Sequence, residues 1–235
     1  ASDVYKRQFF AVGIIMPIVI LVMESFMLKE GIYSLDNFTL HYWIGESNPQ
    51  IMEGLPGIFK NDEFINSLFN SLRLTLVNGV FGTIFGQLLG YITAKGRGRL
   101  HGKLVEQLVF IPYLIPSVAF GGIYLSMFSQ PQQIFGVTLV PALYGTFALL
   151  TLVSVVKHLP FAARAGTSNM LQISGELEEA ATIEGAGFFR RFVKIVFPLS
   201  KGGFISGFML IFVSIMKELD LIILIMTPTT STLPY

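Results

Sequence analysis

The residues best placed to do chemistry are Lys217, Glu218 and Asp220, three ionisable side chains set within the apolar run from Gly202 to Met226. An ionisable group inside such a run is costly and faces a cavity, a path or a partner. At 1.5 Å per residue, the stretch from Gly202 to Met216 climbs about 22 Å, which puts the cluster in the outer half of a bilayer. One reading has Lys217, Glu218 and Asp220 lining a translocation path, with Glu218 or Asp220 at its outer gate. The other is a local ion pair near the interface, its long side chains reaching out to water.

Other chemistries find no support. His41, His101 and His158 fall in separate segments with no HExxH spacing, so no metal site is expected. Cysteine is absent, which removes thiol catalysis, disulfides and cysteine metal sites. The stretch from Gly96 to Lys103 looks superficially like a phosphate loop. That motif needs four residues between its first Gly and the Gly-Lys pair, then Ser or Thr. Here Gly96 and Gly98 give the wrong spacings and Leu104 follows the lysine. No catalytic residue, cofactor or nucleic-acid partner is expected, and any ATP is bound by another protein. The triplet Asn37-Phe38-Thr39 matches a glycosylation acceptor, a pattern that chance supplies often.

The elements that must position these residues are membrane spans. Of 235 residues, 52% are hydrophobic and 13% charged, about half the charge of an ordinary soluble domain. The apolar residues gather into five runs, at 9–23, 74–94, 104–128, 137–156 and 202–226. Each approaches the ~20 residues that cross a ~30 Å hydrocarbon core. Pro112 and Pro116 are expected to kink the third. Lys95, Arg97, Arg99, Lys103, Lys157, Arg164, Arg190, Arg191, Lys194 and Lys201 fall on one side. That side is cytoplasmic by the positive-inside rule, which leaves Tyr235 outside. The expectation is an all-α polytopic bundle with five spans present and a sixth truncated. Residues 1–8 read as an adapter-derived scar and 9–235 as a single permease domain. Gly82, Gly86 and Gly90, four apart, are expected to let neighbouring helices approach closely.

The most informative polar stretch runs from Leu177 to Leu199, within a cytoplasmic loop taken as 157–200. It reads as a short helix with Glu176, Glu178 and Glu179 in its first turn, where acids favour the helix dipole. Gly185 and Gly187 supply a stop. Leu177, Ala180, Ala181 and Glu184 share one flank, and the small pair makes a shallow face. A basic-aromatic helix, Phe188 to Phe197, then leads into Pro198. The shallow face suits a groove on a partner protein. Arg190, Arg191 and Lys194 equally suit a helix resting on lipid headgroups.

Glu179-Ala180-Ala181, Gly185-Ala186 and Ile195-x-x-Pro198-Leu199 resemble the EAA signature of binding-protein-dependent ABC importer permeases of the type I (MetI-like) fold. The lead-in Leu159-Pro160-Phe161-x-x-Arg164 is similar too. The resemblance implies an inner-membrane, multi-pass bundle forming half of a translocation pathway. It implies that Glu179, Ala180, Ala181, Gly185, Ala186 and Pro198 belong to a coupling element that docks on an ATP-binding subunit dimer. It further implies a periplasmic or extracellular solute-binding protein and a second permease half, fused or separate. The stretches 216–224 and 227–233 look most like ferric-iron permeases, with polyamine, thiamine and phosphonate importers as relatives. The alternative class is an ion-coupled secondary transporter, in which Glu218 or Asp220 carries protons.

Overall fold

In the computed structural model, which describes residues 2–134 and 136–233, the apolar runs become helices whose ends are set by Pro, Gly or a capping hydroxyl. Ala1 falls outside the described residues, as does Tyr235, the end expected on the outer side of the membrane. The chain divides into two compact units, Ala1–Asn66 and Ser67–Tyr235.

The first unit opens with α1 (Val4–Glu24), whose apolar side chains point outward along its length. The polar residues at 2–8 are helical and continuous with it. Beyond α1 the chain forms a small folded loop held by Asn37. Its amide nitrogen donates to the carbonyls of Lys29 (2.7 Å) and Ile32 (2.8 Å), and its oxygen accepts from the Lys29 amide (3.0 Å). Asn37 is therefore buried and committed to the loop, and does not present itself as a glycosylation acceptor. Trp43 stacks on Phe26 and donates to the Ser25 carbonyl, so it too serves the loop.

In the second unit runs most of α2 (Asp62–Lys95), a 34-residue helix. After a turn at Gly96–Arg99 come α3 (Leu100–Leu114) and α4 (Ser117–Phe128). Pro116 has no N–H to continue the ladder and drives Ile115 into an extended conformation. The two helices consequently meet at 97°, a break far sharper than a kink. The run expected at 137–156 is a different object. Its β-branched start forms a two-stranded antiparallel hairpin, β1 (Gln132–Ile134) with β2 (Val137–Val140). Pro141 and Gly145 intervene, and the helix, α5 (Phe147–Met170), starts only where the Thr146 hydroxyl accepts from the Leu149 amide. The helix so moved carries Lys157 and Arg164 within it, and the loop expected at 157–200 is helical as far as Met170.

Three further helices follow: α6 (Gly175–Ile183), α7 (Phe188–Leu199) and α8 (Lys201–Met216). The last two meet at 75° around Ser200, just past Pro198. Among the described residues, three helices are long and apolar enough to span alone (α1, α2 and α5), and the number rises to five by length and composition if each bent pair counts as one span. The all-α class holds, with the β1–β2 hairpin as its exception among the described residues.

The core of this unit gathers Leu74, Leu149, Leu150, Val153, Ile211 and Ile215. The four-residue glycine spacing of α2 meets α5 there. A Cβ on Gly86 would overlap that of Ala162, and one on Gly90 would lie 2.5 Å from the Thr167 amide nitrogen. The stripe is helix packing, as expected. The helix of the fifth run ends at Met216, so Lys217, Glu218 and Asp220 lie in the non-helical stretch that follows it. Leu221, Ile222 and Ile225 then fold back into the core. Residues 229–233 close on α2, with Ser231 Oγ 3.0 Å from Ser67 Oγ and the Leu233 amide donating to Ser71 Oγ at 2.6 Å.

Candidate functional site

Two sites emerge, one at the short helix α6 and one at the break between α3 and α4. The first is built from its caps. Ser174 accepts from the Glu176 amide at the start of α6. At its end Gly185 takes a left-handed φ of 76°, Ala186 N donates to Ala181 O (2.9 Å) and Gly185 N donates to Thr182 O (3.0 Å). That paired closure is the Schellman arrangement, and it explains the glycine and the alanine after it. Glu179 and Ala180 are exposed, Ala181 is half-buried, and Ile183 is 86% exposed. The helix therefore presents an acid, an alanine and apolar surface outward.

Its inner contact is Glu178, a residue the sequence reading did not separate from its neighbour. Glu178 is buried, with Lys95 Nζ 2.6 Å from one carboxylate oxygen and Tyr91 OH donating to the other at 2.6 Å. Pro198 lies apart from this group, on the last turn of α7 ahead of the 75° bend.

The second site is a cavity of about 490 Å³ bordered by Tyr113, Ser117, Lys157, His158, Lys217 and Glu218. Lys157, only 7% exposed, donates through Nζ to the Pro112 carbonyl (3.0 Å) and to that of Ile115. It thereby caps α3, whose last carbonyls lack helical partners, with a cation at the negative end of the helix dipole. His158 is 3% exposed; its Nδ1 meets the Ser154 carbonyl at 2.9 Å, and Nε2 lies 3.5 Å from Glu218 Oε2. A carbonyl can only accept, so Nδ1 carries the proton, and an ion pair with Glu218 requires the doubly protonated ring. Of the predicted path residues, Lys217 and Glu218 border this cavity, while Asp220 is exposed beyond it.

Lys157 and His158 lie just past Val156, where the apolar run ends and hydropathy alone closes the fourth span. The cue was local: Gly145-Thr146 is a turn followed by a helix cap, and it shifts the span onto both residues. A larger cavity, about 700 Å³, lies between α3 and α5, with Arg164 4.2 Å over the Phe110 ring. It contains none of the predicted site residues.

The described helices form a bent-helix bundle with an exposed, Schellman-closed short helix ahead of its last bent pair. Residues 86–234 match the family described as binding-protein-dependent transport system inner membrane component, and the chain belongs to that family. Among curated relatives, it is 27% identical over 165 residues to a sulfate transport system permease protein, CysT, of Synechocystis sp., covering 68% of this chain and 54% of that one. It is 26% identical over 178 residues to the trehalose transport system permease protein SugB of Mycobacterium tuberculosis, covering 75% and 60%. It is 27% identical over 162 residues to the molybdate/tungstate transport system permease protein WtpB of Pyrococcus abyssi, covering 68% and 60%. The chain thus spans between about half and three fifths of these relatives' lengths. A chain of the bacterial alginate ABC transporter crystallised with an alginate pentasaccharide-bound periplasmic protein superposes with a TM-score of 0.68. That match covers 100% of this chain and 78% of the other at 17% identity, and shows the shared fold.

Proposed function

We propose that this chain is one half of the membrane pathway of an ATP-driven importer, worked by a separate ATPase that docks on α6. The observation carrying this reading is the orientation of α6. Glu178 is turned inward, leaving Glu179, Ala180 and Ile183 exposed beside the Gly185 turn. Small side chains permit close approach, and the fixed turn presents the face rigidly, as a helix seated in a partner's groove requires. ATP is held on the partner, a dimer of ATP-binding subunits. A solute-binding protein delivers cargo from outside, and a second permease half completes the pathway. Eight of the ten basic residues remain outside α5, on the side assigned to the cytoplasm, once Lys157 and Arg164 are placed within that helix.

The cavity at the α3–α4 break is the proposed stretch of path, bordered by Lys217 and Glu218 and reached by His158. The cargo is proposed to be ferric iron, on the resemblance carried by 216–224 and 227–233. The named relatives carry sulfate, trehalose and molybdate/tungstate in their descriptions, and none names iron. Proteoliposomes holding the permease pair with its ATPase and binding protein test both levels. ATP-dependent uptake of radiolabelled ferric iron, in excess of sulfate, molybdate and trehalose, is the expected result. ATP-dependent uptake of one of the others, with no iron uptake, retires the cargo and keeps the mechanism. Uptake that ignores ATP and collapses with the proton gradient replaces the mechanism with a secondary transporter's.

A further inference from the structure

α6 makes its one buried acidic contact not through the exposed Glu179 but through Glu178, and that contact leads directly into a membrane span. Tyr91 and Lys95 stand one turn apart on the last turns of α2, and each holds a different oxygen of the Glu178 carboxylate at 2.6 Å. Two fixed oxygens set both the distance and the rotation of α6 about its own axis, which a single contact cannot do. The same Tyr91 ring receives the edges of Phe188 and Phe192 from α7, each with centroids 5.7 Å away. Thr182 adds a further tie, donating to the Glu178 carbonyl (2.7 Å) and accepting from Arg191 of α7. The end of α2, the whole of α6 and the start of α7 are therefore one clamped body centred on Glu178.

We infer that Glu178 is the positioning residue through which α6 moves α2, by way of Tyr91 and Lys95. The inference rests on the proposal that an ATPase docks on α6. A carboxylate buried between an ammonium and a phenol resists sliding, because separating the ions strands a buried charge. Downstream, α2 is in backbone-close contact with α5 at Gly86 and Gly90, where nothing larger than the Ala162 methyl lies between the two helices to absorb a displacement. A push on α6 accordingly reaches the helix that carries Lys157 and His158. Glu179, one residue on, faces outward and is free to meet the partner. The adjacent acids thus divide the work, one facing the motor and one facing the membrane.

The absence of cysteine from these 235 residues allows a readout that needs no cargo. Phe69→Cys on α2 and Val213→Cys on α8, both exposed, accept a pair of spin labels. Their separation is measured in the full complex in nanodiscs, nucleotide-free and trapped with ATP and vanadate. With Glu178 intact the separation changes on trapping. In Glu178→Ala the ATPase still co-purifies and still traps vanadate, while the label separation stays at its nucleotide-free value. The charge-exchanged pair Glu178→Lys with Lys95→Glu recovers at least half of the change, which a general loss of folding would not allow. A Glu178→Ala complex whose labels move as far as the wild type's overturns the inference and leaves ATPase docking standing. A wild-type complex that neither binds the ATPase nor responds to vanadate overturns the docking proposal and the inference with it.

Discussion

Lys157 Nζ donates to the Pro112 carbonyl across 3.0 Å, so a cation on α5 closes the end of the helix that Pro116 breaks. A second donation, to Ile115, holds the residue of the break itself. Replacing Lys157 with Met keeps length and apolar volume while removing the ammonium. The stranded carbonyls should then cost about 1–3 kcal/mol each in lost satisfaction. We expect Lys157→Met to lower the melting temperature of the detergent-solubilised protein by several degrees. A Phe161→Leu change at the same cavity, which alters no such bond, should shift it less. Equal melting of Lys157→Met and wild type would mean that water satisfies those carbonyls instead.

Gly185 sits at φ 76°, where a β-branched side chain is strained. Gly185→Val should destabilise the end of α6 by about 1–2 kcal/mol, and Gly185→Asn, which tolerates the left-handed region, by much less. Hydrogen exchange at the Gly185 and Ala186 amides reads this directly, because both donate in the closing turn. The Val variant should exchange them at least fivefold faster than the Asn variant. ATPase binding should fall in the same order. Matched exchange in the two variants would remove the conformational argument for this glycine.

At Gly90 the constraint is space rather than dihedral angle. A Cβ there meets the Thr167 amide nitrogen at 2.5 Å, backbone that has nowhere to retreat. Gly90→Leu should part α2 from α5 and cost about 1–3 kcal/mol or more, the usual range for overpacking. Gly122, with nothing within 4 Å of an added Cβ, is the control, and Gly122→Ala should be neutral. Yield of monodisperse protein in detergent discriminates the two, and equal yields would contradict the close helix contact.

How much of this was legible in the sequence depended on the range of the signal. Glycines four apart announced the α2 face, and Gly185 announced the end of α6, because both act within one turn of their own helix. The break at Pro116 was visible as a kink, but its size was not; Pro112 stays inside α3, and the 75° bend past Pro198 was not anticipated. The angle at Ile115 depends on Lys157, 42 residues further on, accepting the task of capping it. Hydropathy misplaced the fourth span because β2 is as apolar as a helix, and only the short stretch from Pro141 to the Thr146 cap separates them. Glu178 and Glu179 could not be told apart, since the choice is made by Tyr91 and Lys95, more than 80 residues upstream. That the helix of the fifth run stops at Met216, short of Lys217, Glu218 and Asp220, was hidden for a related reason. Leu221, Ile222 and Ile225 are as apolar as a span, yet they fill the core from a turn.

Asn37 offers a prediction in the first unit. Three hydrogen bonds from one side chain tie down the Lys29 and Ile32 backbone. Asn37→Ala leaves two carbonyls and an amide to find water, at a cost of about 1–3 kcal/mol for each that stays buried. Protease sensitivity between Lys29 and Lys60 should rise markedly in this variant. Thr39→Ala, which would equally abolish a glycosylation triplet, should change it less. Equal sensitivity in the two would assign Asn37 no special part in the loop.

His158 and Glu218 supply the last prediction, which concerns transport itself. Nε2 of the ring lies 3.5 Å from the carboxylate while Nδ1 is committed to Ser154, so an ion pair between the two side chains needs a ring that holds both protons. Removing either partner should therefore alter the cavity in the same way. In ATP-dependent uptake assays with the complete importer, we expect His158→Gln and Glu218→Gln each to change the rate, and the double variant to be no worse than the poorer single. A coupling of about 0.5–3 kcal/mol in such a cycle is the range for residues in direct contact. Additive losses would show that His158 and Glu218 act separately. The path would then rest on Lys217 and Glu218 without the buried histidine.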